Sequence, residues 1–348
     1  MDRRAFLQRA SALGALGLLG PTGLIGCSGE PAAPPALSVD ELPPLEGQLR
    51  VYLGRGEGGL YTDVVRAIRD RNPDLDLEVR RGTSSALANT LVAESERGGA
   101  RADLFWSTDT SSLGQVVDRG LTHAVPEELR QRLEPNFRFE QIAPISGRVR
   151  TVAYNTDRLT AADIPTDIMA LPDSGLTVGW APAYGAFQSF ITAMRLLEGD
   201  EATVAWLEAM KPNTREYAGE LGAVLATAQG EVDVALANHY YTLRLKSGQP
   251  DASVDLAFTK GDAGSLVNAS GVTILNPSQT AHDFIRYLLS REVQSYLARE
   301  AYEIPLVPGV PVPDNLPSLD RIQPPSVDLT QLGDLQPTLK LMRRAGVL

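Results

Sequence analysis

Cysteine and histidine are nearly absent from this sequence. It has one Cys (Cys27) and three scattered His (His123, His239, His282) in 348 residues. A single Cys excludes an internal disulfide, so the fold must rest on an apolar core. So few sulfur and imidazole donors argue against a zinc or copper centre. No H-E-x-x-H, G-x-S-x-G or Walker loop occurs, which removes the zincin, α/β-hydrolase and P-loop chemistries. Long apolar runs are missing too. The stretch Ala10–Leu19 is too short and too glycine-rich to span a membrane as a helix. Positive charge is in deficit, at a net −11. Such a chain does not favour nucleic acid or anionic lipid, but tolerates a cationic ligand.

What is present begins with an address. Arg3-Arg4 followed by Phe6-Leu7 reads as a twin-arginine export signal. Leu24-Ile25-Gly26-Cys27 resembles a lipobox, with Cys27 the lipidated residue, so residues 1–27 are taken as signal and anchor. Removing residues 1–26, which carry three Arg and one Asp, takes the formal charge from −11 to −13. The Pro-rich stretch 28–47 lacks apolar periodicity and reads as a tether holding the folded part off a membrane. Apolar content of 43% and charged content of 22% suit a globular fold.

From residue 48 strands alternate with helices. Leu49–Leu53, Leu75–Val79 and Ala102–Trp106 read as strands, with helices over 61–71, 85–97 and 112–118. The alternation predicts a parallel sheet covered on both faces. After the alternating strand Arg148–Tyr154 a second set follows. It has strands at 176–179 and 232–237, helices over 186–197, 202–210 and 219–228, and another helix opening at Asn238. Two α/β lobes around a cleft are the simplest architecture, with ligands at the carboxyl ends of strands.

Three places carry candidate chemistry. Asn238-His239-Tyr240-Tyr241 follows an apolar strand and opens a helix, with Asn238 as N-cap. Two phenols in a first turn lie where free N–H groups favour negative charge, so a hard trivalent cation could hold them as phenolates; two ordinary half-buried tyrosines would read the same way. Tyr154 ends a strand whose period of two puts Arg148, Arg150, Val152 and Tyr154 on one face. Such a face suits an anion beside a metal, or simply solvent. Gly54-Arg55-Gly56-Glu57-Gly58-Gly59 satisfies G-x-G-x-x-G, so an exported NAD(P)-dependent oxidoreductase is a genuine competitor. Against it, the expected acidic residue about twenty positions on is replaced by Arg80-Arg81.

Taken together, several blocks resemble the ferric-ion-binding proteins of bacterial ABC importers, a class II periplasmic solute-binding family. They are Val51–Arg55, Ala102–Trp106 with Thr108-Asp109, Ser146-Gly147-Arg148 through Tyr154-Asn155, Asn238–Tyr241, Gly261–Asn268, Glu303–Val310 and Leu335–Leu339. The match covers nearly all of the mature chain. It implies an α/β, two-lobed periplasmic-binding-protein type II fold with a central cleft, lobe 1 being 48–146 with 271–320 and lobe 2 being 147–270 with 321–348. It implies no enzyme activity. It implies a monomeric periplasmic or cell-surface lipoprotein that passes its ligand to an inner-membrane permease.

The family's opening-loop His is Gly56 here, and its third-strand Glu is Asp109. The resemblance therefore implies a site of three tyrosines, Tyr154, Tyr240 and Tyr241, binding Fe(III). Carbonate or a similar anion would be held by Arg55, Ser146, Gly147, Arg148 and Asn238. Asp109 would be a ligand, a group behind the ligands, or an N-cap. Three phenolates neutralise one Fe(III), and ionising each at pH 7 takes roughly 4 kcal/mol from the metal. A polyamine, sulfate or molybdate is the alternative ligand within the same class.

Overall fold

The computed structural model describes residues 33–54 and 59–348. Cys27, the export signal, Arg55 and Gly56 lie outside the described residues. Among the described residues ten strands form one continuous, bent sheet: β1 (Gly47–Gly54), β2 (Leu75–Gly82), β3 (Leu104–Ser107), β4 (Ala143–Asn155), β5 (Val178–Trp180), β6 (Thr214–Glu216), β7 (Val234–Asn238), β8 (Val254–Ala257), β9 (Val267–Ile274) and β10 (Ile304–Pro305). β1 pairs in parallel with β2 and β3, and β5 with β6 and β7. The helices expected between them form within a residue or two of their sequence limits, for example Leu60–Arg71 and Gly185–Glu198.

The expected all-parallel sheet is in fact mixed. β9 runs antiparallel to β3, and β4 runs antiparallel to β9, β7 and β8. β4 is the reason. Thirteen residues long, it spans about 40 Å. Through Val149 it pairs with β9 and β10, and from Arg150 with β7, having left one half of the sheet for the other. Both faces are nonetheless covered. Phe105 and Trp106, consecutive on β3, point opposite ways and are both fully buried, in separate apolar clusters.

The Pro-rich stretch is less of a tether than its composition implies. Ala36, Val39 and Leu45 are buried. Ser38 donates its hydroxyl to Glu292 at 2.8 Å, and the Leu45 N–H donates to Asn72 Oδ1 at 2.8 Å. From residue 33 on, this segment is a coil pinned by isolated apolar residues, which leave no period to read.

Candidate functional site

β5 and β7 are parallel, so their carboxyl ends share one edge, and a helix starts beyond each. Tyr184 sits at the N-cap of Gly185–Glu198, while Tyr240 and Tyr241 fill the first turn of His239–Gly248. The Tyr184 and Tyr241 hydroxyls are 2.8 Å apart, and the Tyr240 and Tyr241 rings are 4.5 Å apart. Tyr184 and Tyr240 line a cleft of about 630 Å³, faced across it by Thr108, Asp109 and Asn268. The Arg244 guanidinium lies 4.7 Å above the Tyr240 ring.

Burial pushes the Tyr240 phenol up to about 12, against the opposing pull of Arg148. It raises Tyr241 further, with Tyr240 adding to the effect. Tyr240 and Tyr241 are therefore protonated at neutral pH. His239 beside them is fully buried. Its Nδ1 accepts the Val149 N–H at 3.3 Å and its Nε2 meets the Tyr302 carbonyl at 2.5 Å, which fixes the Nε2–H tautomer. Desolvation lowers its pKa to about 4, so it is a neutral structural group. Among the described residues no group of three or more His, Cys, Asp or Glu could hold a metal.

Only part of the expected constellation comes together. Tyr240, Asn238, Asp109 and Arg148 line the cleft, with Tyr241 joined to it through Tyr184. Tyr154 does not. β4 is antiparallel to β7, and Tyr154 pairs with Val234 at the far end of the strand that Asn238 closes. Four residues of strand separate it from the cleft edge, about 13 Å, and its ring packs in the apolar core. The phenol that does reach Tyr241 is Tyr184, which the sequence reading missed. Its signal was available, since Ala-Pro-Ala-Tyr-Gly ends a buried strand and starts a helix, the same context as Tyr240.

The expected anion holders also divide. Ser146 is buried behind the site, bonded to Ser270 (2.8 Å) and to Glu303. Gly147 is pressed against β9 and β10, where an added Cβ would lie 2.8 Å from Val267. Arg148 pairs with the buried Glu303 carboxylate (2.8 Å) and donates to the Thr108 carbonyl (2.7 Å). Desolvation alone would lower its pKa, but Glu303 outweighs it and holds the guanidinium well above its usual value. Its charge is thus already met. Asn238 stands at the N-cap but its side chain caps nothing; its Nδ2 donates to Tyr240 Oη at 3.4 Å. Asp109 does cap its helix, accepting the Ser112 N–H at 2.8 Å.

An α/β fold with a cleft at the carboxyl ends of its strands suits a binding protein, and the family profile described as bacterial extracellular solute-binding protein matches residues 49–303. The chain belongs to that family. The major ferric iron-binding protein of Neisseria meningitidis serogroup B is 28% identical over 304 residues, 83% of this chain and 91% of the relative. Iron uptake protein A2 of Synechocystis is 30% identical over 263 residues, 70% of this chain and 74% of the relative. The crystal structure of iron-bound HitA from Pseudomonas aeruginosa superposes with a TM-score of 0.73 at 27% identity, over 86% of this chain and 99% of that one. The fold is the two-lobed periplasmic-binding-protein type. The relatives are solute-binding transport proteins, and the chain belongs with them and not with enzymes.

Proposed function

We propose that this chain carries Fe(III) outside the cytoplasm, binding it through the phenolates of Tyr184, Tyr240 and Tyr241 and delivering it to an ABC permease. One observation carries the assignment of residues: three phenols from two helix starts meet at the cleft edge, two of their oxygens 2.8 Å apart. Iron as the ligand is supported by the names of the relatives at 27–30% identity. Three phenolates match the charge of one Fe(III), so the ion and its tyrosine ligands together carry no net charge into the cleft.

All three tyrosines belong to the β5–β7 half, so the ion can bind with the cleft open. Carbonate or a similar small anion then completes the coordination. Asn238 and the helix start at Gly185 offer it polar contacts, beside Arg148, whose charge Glu303 already meets. Asp109 remains a helix cap facing the ion from the other half. Export by the Arg3-Arg4 signal and lipidation at Cys27 would tether the carrier near its permease.

Titrating the purified protein with Fe(III)–citrate tests this. A visible phenolate-to-iron charge-transfer band should grow to one equivalent and vanish on acidification. A colourless protein that gains thermal stability from a polyamine or an oxyanion, and not from Fe(III), refutes it.

A further inference from the structure

Behind the tyrosines lies a buried ion pair that stability alone does not explain. Arg150 of β4 and Glu220, the first residue of the helix Glu220–Ala228, pair directly with side-chain exposures of 3% and 0%. Burying two such charges is costly, and apolar residues of the same volume are often as stabilising or more so. The pair is also imperfectly satisfied, since Arg150 Nη2 has no hydrogen-bond partner among the described residues.

Its contacts run to both tyrosine-bearing helices. Glu220 Oε2 accepts the N–H of Asn238 at 2.9 Å, immediately before His239-Tyr240-Tyr241. Asn238 in turn donates from Nδ2 toward Tyr240 Oη. Arg150 stands opposite Asn238 in the β4–β7 register, and its guanidinium lies 5.2 Å over the ring of Phe190. Phe190 belongs to the helix that Tyr184 opens, and is wedged edge-on between Phe187 and Trp206.

We infer that Arg150 and Glu220 are positioning residues for the metal site. One ion pair sets the start of the Tyr240-Tyr241 helix through Asn238 and the azimuth of the Tyr184 helix through Phe190, holding three phenols at one coordination distance. This rests on the Fe(III) reading above. Groups that orient metal ligands in this way typically change metal affinity by about 10–100-fold when removed.

The test is the double variant Arg150→Met/Glu220→Met in the mature protein, with Phe190→Leu made separately. Apoprotein melting should be unchanged or raised in the double variant. Its Fe(III) affinity against citrate should fall by about 10–100-fold, with faster release and a shifted charge-transfer band. Phe190→Leu, which keeps the ion pair, should shift the band in the same direction by a smaller amount. Should the double variant fail to fold, Phe190→Leu decides alone, and an unshifted band and unchanged release rate there overturn the inference. A double variant that folds and binds iron with wild-type affinity and spectrum also overturns it. Wild-type protein that binds no Fe(III) overturns the functional proposal and this inference together, which separates the two failures.

Discussion

Replacing Tyr184 by Phe removes one phenol oxygen and keeps the ring, and its consequence is best read against pH. In the free site Tyr240 and Tyr241 are protonated, since burial holds Tyr240 at about 12 and Tyr241 higher. Ionising Tyr240 at pH 7 is therefore uphill by about 7 kcal/mol, at 1.36 kcal/mol for each of some five pH units. The metal must supply that energy, and each phenolate formed expels one proton. The loaded state holds fewer protons than the free state, so affinity rises with pH and is lost on acidification. Three phenolate ligands give about a 1000-fold gain per pH unit, and two give about 100-fold. The assay is competition with citrate from about pH 5.5 to 7.5, followed in the charge-transfer band. Citrate's own protonation cancels when variants are compared at one pH. The wild-type to Tyr184→Phe affinity ratio should climb about tenfold per pH unit, while the wild-type to Tyr154→Phe ratio stays flat. The reverse pattern would falsify the placement of Tyr184 and restore Tyr154.

Four further outcomes are expected. Glu303→Gln leaves Arg148 facing a neutral partner and loosens Ser146 and Tyr61, both bonded to that carboxylate; chemical denaturation should show a loss of about 3 kcal/mol, and a loss under 1 would mean the cluster is wet. At Gly54 an added Cβ would lie 3.2 Å from the Thr108 amide and 2.3 Å from Ser84 Oγ. Gly54→Ala should thus weaken iron binding by shifting Thr108 on the cleft wall, and unchanged affinity would show that the loop yields freely. His239, at about 4 when folded against about 6.5 unfolded, contributes stability that is present above pH 6.5 and lost as pH falls toward 4, about 3 kcal/mol in all; His239→Gln should flatten apoprotein stability across that window, and an unchanged slope would assign it to other groups. Cys27→Ser should release the protein from the membrane fraction without altering iron affinity, and continued membrane association would count against lipidation.

Much of this molecule was legible in its sequence. Local rules governed the alternation of β1 to β3 with their helices, because an amphipathic helix and a buried strand each declare themselves within a dozen residues. The same rules marked Tyr240-Tyr241, since an apolar strand followed by a helix start is a local pattern, and Asp109 as an N-cap, since capping reaches only three residues along the chain. Tertiary structure decided the rest, wherever the question was which distant segment lies alongside. Tyr154 lies near the end of β4 and Tyr184 follows β5; only the antiparallel direction of β4 sends one phenol to the far edge while parallel β5 brings the other to Tyr241. Arg148 and Arg150 share a strand face in sequence, yet β4 crosses between sheet halves, so one meets Glu303 and the other Glu220. Strand direction and the partner of a buried charge are long-range properties, fixed by packing across more than a hundred residues of chain in the case of Arg148 and Glu303.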